Sequence, residues 1–74
     1  MEERLLSVIN QLRAHKGRPA LTSLNPAARL RQDLGLDSFD LAELTVRMEE
    51  ASGVDVFAQG LVHSVAEVLA RLAR

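Results

Sequence analysis

Three blocks of Leu, Val and Ile at helical spacing, cut by Gly17 and Pro19 and again by Gly53, restrict this chain to helices packed on one another. The first block predicts a helix from about Glu2 to His15. Leu5, Ile9 and Leu12 recur at i, i+4 and i+7 with Val8 beside them, so one side is apolar. Glu2 and Glu3 open the block, and Arg13, His15 and Lys16 close it, the order that a helix dipole favours. Gly17 ends it and Pro19 prevents its return. The second block predicts a helix from Ser38 to about Ser52, stopped by Gly53. The third predicts one from Ser64 to about Leu72. There Ser64-Val65-Ala66-Glu67 has the form of a capping box, and Val65, Val68, Leu69 and Leu72 make the buried stripe.

Length and composition agree with a small helical domain. The chain has 74 residues, so residues 1–74 are taken as one domain. A domain of this size buries only roughly 60% of the surface that its unfolded chain exposes. There is no cysteine, hence no disulfide and no protein thiol, and thioester chemistry would need an imported thiol. The only aromatics are two Phe, so the core must be built from Leu, Val, Ile and Ala. The formal net charge of −1 gives no field to attract nucleic acid or an anionic membrane. Without aromatic stacking residues, nucleic-acid binding is further disfavoured. The apolar runs are far short of a membrane span, and Met1-Glu2-Glu3-Arg4 is unlike a signal peptide. A cytoplasmic monomer is expected.

Residues from Arg18 to Asp37 form a connection longer than an ordinary inter-helix loop. Leu21, Leu24, Leu30, Leu34 and Leu36 give it apolar anchors, so it should lie across the helices. Asn25-Pro26 is a cap followed by a first helical position, which predicts a short helical turn from Pro26 to Gln32. The run Gly53-Val54-Asp55-Val56-Phe57 looks extended, and one helical turn at most is expected around Phe57 to Leu61. Small residues at Ala42, Ala51, Ala66 and Ala70 would permit an internal cavity.

Chemistry concentrates where the long connection meets the second helix, at Asp33-Leu34-Gly35-Leu36-Asp37-Ser38-Phe39-Asp40. Gly35 supplies backbone freedom before the turn. Asp37 and Ser38 are both good helix-start residues, and Asp40 puts a carboxylate near the positive end of the dipole. A serine at such a site is exposed, held, and beside free N–H donors, where a phosphate ester would be favoured. Ser38 is a poor catalytic nucleophile: the Gly-x-Ser-x-Gly elbow is incomplete and no His lies nearby in sequence. His15 and His63 lie far apart at helix ends and read as surface residues. Asp33, Asp37, Asp40 and Glu43 do not have calcium-loop spacing, so no metal site is expected.

The run Leu34-Gly35-Leu36-Asp37-Ser38-Phe39, followed by Asp40-Leu41-Ala42-Glu43-Leu44 and by Met48-Glu49-Glu50, resembles the acyl carrier proteins. Their signature is Asp-Ser-Leu after a Leu-Gly pair, opening the second helix of a small bundle; Phe39 stands where leucine is usual. The resemblance implies an all-α, antiparallel four-helix bundle with three main helices, one short one and a long first loop. It implies that Ser38, flanked by Asp37, carries 4′-phosphopantetheine from coenzyme A, whose thiol holds an acyl group as a thioester. It implies partners but no catalytic activity of its own: a phosphopantetheinyl transferase, whose magnesium ion belongs to that enzyme, and acyl ligases, synthases and transferases of fatty-acid, polyketide or related biosynthesis.

Alternatives stay open at this point. Ser38 and Asp37 compete for the role of helix cap. In the second helix Leu41, Leu44, Met48 and Ala51 form one stripe, and Phe39, Ala42 and Val46 form another nearer the serine. The second stripe, flanked by Asp40, Glu43, Arg47 and Glu50, is either a partner-binding face or simply more core. The overall charge is nearly neutral, with Arg29, Arg31 and Arg47 close to the site, so steering toward basic partners should be weak. Leu36, where peptidyl carriers often have a second glycine, favours acyl over aminoacyl cargo. An aminoacyl or peptidyl carrier, and a plain helical adaptor, remain the competing readings.

Overall fold

In the computed structural model, which describes residues 2–58 and 60–73, the chain is all-α. Helix α1 is Glu2–Ala14, α2 is Ser38–Ser52 and α3 is Val65–Leu72. Among the described residues there is no strand, only an isolated antiparallel bridge between Arg29 and Ser64.

The core is aliphatic. It joins Leu5, Val8, Ile9 and Leu12 of α1, Leu41, Leu44 and Met48 of α2, and Val65 and Val68 of α3. Leu30, Leu34, Leu36, Val56 and Val62 from the connections complete it. Each fully buried side chain of this size stabilises by about 1.5–3 kcal/mol. Leu5, Ile9, Leu30, Leu44 and Met48 are fully enclosed. Helix α1 packs along α2.

The helix ends follow from the residues that form them. Helix α1 stops in a Schellman turn: Gly17 donates to the Ala14 carbonyl and Arg18 to that of Arg13. Helix α2 ends at Gly53, whose φ of 75° is the left-handed conformation that glycine adopts freely. The expected box at the start of α3 forms with a shift. Ser64 Oγ accepts from the Glu67 N–H at 3.3 Å, but Glu67 Oε2 accepts from His63 N–H, one residue before the cap. The first N–H groups of α3 are turned instead to the long connection, Val65 donating to Ala28 and Ala66 to Pro26.

The long connection is tied down throughout. Asn10 clamps Leu21 by both backbone groups, at 2.9 and 2.8 Å. Arg13, buried although charged, donates to the carbonyls of Pro19 and Leu34. Its spacing of i+4 from Ile9 already placed it on the apolar side of α1. The short helical turn expected from Pro26 to Gln32 is split. A turn at Pro26–Ala27 is closed by Asn25, and a second occupies residues 30–34. Between them Ala28 and Leu30 spend their backbone groups on the start of α3, which no continuous helical turn would allow.

Between α2 and α3, Val56 to Ala58 make a turn, with Ala58 donating to Asp55 and Gly60 to Phe57. Gln59, within the helical turn expected at Phe57 to Leu61, lies outside the described residues. Arg71 of α3 holds this segment through the carbonyls of Val56 and Gly60. The cavity-forming role read for the alanines fails: Ala42, Ala66 and Ala70 are exposed and Ala51 is half-buried. Helix faces that carry alanine beside charge are turned outward here, because the larger aliphatic side chains fill the interior.

Candidate functional site

The site is assembled from the turn at residues 30–34, the extended pair Leu36-Asp37 and the first turn of α2. Leu30, Leu34 and Leu36 are buried and pin the backbone on either side of Gly35. Gly35 has a φ of 74°, and a Cβ there would lie 2.8 Å from the Arg18 guanidinium carbon. Only glycine takes that conformation without strain.

Asp37, not Ser38, is the N-cap. Its Oδ1 accepts from Asp40 N–H at 2.9 Å, and Asp40 Oδ2 accepts from Asp37 N–H at 3.0 Å, a reciprocal box. Lys16, arriving from the end of α1, binds both carboxylates, at 3.1 Å to Asp37 and 2.5 Å to Asp40, and donates to the Gly35 carbonyl at 3.0 Å. The bond from Asp40 N–H, then Lys16, holds the Asp37 carboxyl below its ordinary value of 3.8. Hydrogen bonds to Asp40 and then Asp37 raise Lys16 above 10.5. Asp33 is lowered from 3.8 by the backbone N–H of Arg29 and then by the Arg29 guanidinium.

Ser38 is therefore the first helical residue, exposed, with its hydroxyl free of capping duty. Its Oγ accepts one hydrogen bond, from Arg31 Nη2 at 2.5 Å. Ser38 also opens onto a groove of about 450 Å³, within the range of small-molecule sites. Leu41 and Ala42 of α2 line one part, and Phe57, Leu61 and His63 line another.

The second stripe of α2 lies outside the core. Phe39 is 86% exposed and Val46 52%, with Ala42 exposed between them. Asp40 is half-buried in the cap, whereas Glu43 and Glu50 are exposed. Arg47 turns toward α1: it pairs with Glu43 at 2.9 Å and donates to the Gln11 side chain. Asp33 pairs with Arg29 rather than with a ligand. Among the described residues no cluster of His, Asp and Glu is arranged for a metal ion. No helix there is long and apolar enough to cross a membrane.

Reading the sequence alone did not reveal the roles of Lys16, Arg31, Phe57, Leu61 and His63. Lys16 lies 21 residues from Asp37, and no local spacing connects them. Arg31 is seven residues before Ser38, but a turn intervenes, so helical periodicity does not relate them. The charge of Arg31 beside the serine was visible; its contact was not.

Known proteins match this chain in sequence. Residues 17–73 match a family model described as a phosphopantetheine attachment site. The acyl carrier protein of Rubrobacter xylanophilus is 35% identical over 54 residues, 73% of this chain and 67% of that protein. The acyl carrier protein of Solidesulfovibrio magneticus is 52% identical over 33 residues, 45% of this chain and 42% of that protein, so the match spans under half of that relative. No solved structure matches. The family model covers well over half of the residues and includes Arg31 and the run from Gly35 to Asp40, with Lys16 just before its first matched residue. On these grounds the chain belongs to the acyl carrier protein family, whose members bear a covalently attached phosphopantetheine and are carriers rather than enzymes.

Proposed function

We propose that residues 1–74 form one carrier domain, esterified on Ser38 with 4′-phosphopantetheine from coenzyme A, and that it presents acyl thioesters to biosynthetic enzymes in the cytoplasm. The observation that carries this reading is the division of labour at the α2 start. Asp37 caps the helix, so the neighbouring Ser38 oxygen is exposed and available for esterification. The residues present fit the group. An anionic ester on Oγ would sit at the first turn of α2, where the dipole favours negative charge, with the Arg31 guanidinium in contact. Lys16 already offsets the carboxylates of Asp37 and Asp40, which would otherwise repel a phosphate. When bound, the group supplies the thiol that this cysteine-free chain lacks.

The exposed stripe of Phe39, Ala42 and Val46, with Asp40, Glu43, Arg47 and Glu50 around it, is proposed as the docking face for partners. Those partners are the phosphopantetheinyl transferase and the acyl ligases, synthases and transferases of fatty-acid, polyketide or related pathways. The apolar groove at Ser38 gives an acyl cargo somewhere to lie out of water. The turn from Val56 to Ala58 is read as standing where a short fourth helix of the bundle would lie. Leu36 is buried in the core, so it fills space rather than touching cargo. Preference for acyl over aminoacyl cargo therefore rests on the relatives, which are acyl carrier proteins.

Intact mass after incubation with coenzyme A, magnesium and a promiscuous phosphopantetheinyl transferase tests this directly. One added arm is expected on the wild type and none on Ser38→Ala. An unmodified wild type, or a modified Ser38→Ala, would overturn the reading.

A further inference from the structure

We propose that Arg31 is the phosphate-holding residue of this chain: once Ser38 bears its phosphodiester, the Arg31 guanidinium pairs with that anion and fixes the root of the arm. This rests on the carrier reading and adds a residue to it. The first ground is contact, since Arg31 Nη2 lies 2.5 Å from the oxygen that would carry the phosphorus. A guanidinium has further N–H donors in the same plane, matched to the oxygens of a phosphate.

The second ground is an accounting of nearby cations. Arg29 is paired with Asp33, Lys16 with Asp37 and Asp40, and Arg47 with Glu43. Arg13 is spent on the carbonyls of Pro19 and Leu34. Among the described residues neither Arg31 nor Arg18, whose guanidinium lies against Gly35, makes an ion pair, and of the two it is Arg31 that reaches the neutral Ser38 hydroxyl. Exchanging that hydroxyl for an anion turns a bond already assisted by one charge into an ion pair, in which two parallel N–H···O bonds can form.

The third ground is support. Arg31 sits in a turn between Leu30 and Leu34, both buried, and its own carbonyl accepts from Gly35 N–H at 3.1 Å. The backbone beneath it is set, so forming the pair orders one side chain rather than a loop. Arg31 is exposed, so the pair should be screened by salt, and ordering the side chain costs entropy that further limits its strength.

Phosphorus NMR of the loaded protein tests the assignment, with R31Q, R31K and R29Q as comparisons. At low salt the wild-type phosphodiester resonance should be displaced from that of R31Q. The displacement should shrink as sodium chloride is added, with R31K between them and R29Q like the wild type. In the wild type, loading should move the Arg31 Nε resonance more than that of Arg29. Coincident phosphorus resonances for wild type and R31Q at every salt concentration, with an unmoved Arg31 Nε, would overturn the clamp. Intact mass read on the same samples separates the two ideas. An arm on Ser38 with no Arg31 signature rejects only the clamp, whereas no arm on Ser38 rejects the carrier reading and the clamp with it.

Discussion

The single oxygen of Ser38 is free of capping because its neighbours take over that structural work. Serine at a helix start ordinarily caps the first turn, and Asp37 does that here. The reciprocal bonds between Asp37 and Asp40, and Lys16 across both, close the cap without using the Ser38 oxygen. Gly35 sets the approach to this cap. Replacing it with alanine at a φ of 74° should destabilise the fold by about 1 kcal/mol or more, and asparagine, which tolerates that region better, should cost less than alanine. Thermal or urea unfolding measures both; an alanine variant as stable as the wild type would contradict the strain. The residue types at this junction were legible without coordinates, because Gly, Asp and Ser each have strong local preferences. Which of Asp37 and Ser38 takes the cap was not, since both are equally good acceptors and the choice depends on Lys16, distant in the chain.

Helix α2 separates two tasks on its two sides. Leu44 is fully buried, so Leu44→Ala should cost about 2–5 kcal/mol, combining lost burial with a cavity. Phe39, on the other side, is 86% exposed. Phe39→Ser should leave the melting temperature nearly unchanged and reduce loading or acyl transfer by a partner enzyme. A large loss of stability with normal transfer would return Phe39 to a structural role. The bounds of α2, Ser38 to Ser52, follow from the sequence to within the choice of cap, because Asp37-Ser38 opens the helix and Gly53 stops it. The single turn expected from Pro26 to Gln32 is split for the opposite reason. Asn25-Pro26 favours a helical start locally, but the backbone of Ala28 and Leu30 gains more by pairing with the start of α3, a contact between segments more than thirty residues apart.

Across the whole molecule, stability should depend on pH at both extremes. Asp33 and Asp37 have folded-state values below their ordinary 3.8. Their contribution is present above that value and is lost as pH falls through the depressed ones. Lys16 is raised above 10.5, so its contribution is present below that value and is lost as pH rises through the raised one. Melting temperature should therefore fall below about pH 4 and above about pH 10.5, with a flat region between. D37N should soften the acid fall, and K16M the alkaline one; an unchanged profile in either variant would contradict the ion-paired cap. The proposed reading makes Ser38, beside these paired charges, the position that takes the new anion. Trypsin cleaves after Arg31 and Arg47, releasing Gln32–Arg47, in which Ser38 is the one serine. Fragmentation of that peptide from transferase-treated protein should locate the phosphopantetheine on Ser38. Its appearance on Thr45, on any other peptide, or nowhere would contradict the assignment of this hydroxyl as the attachment point.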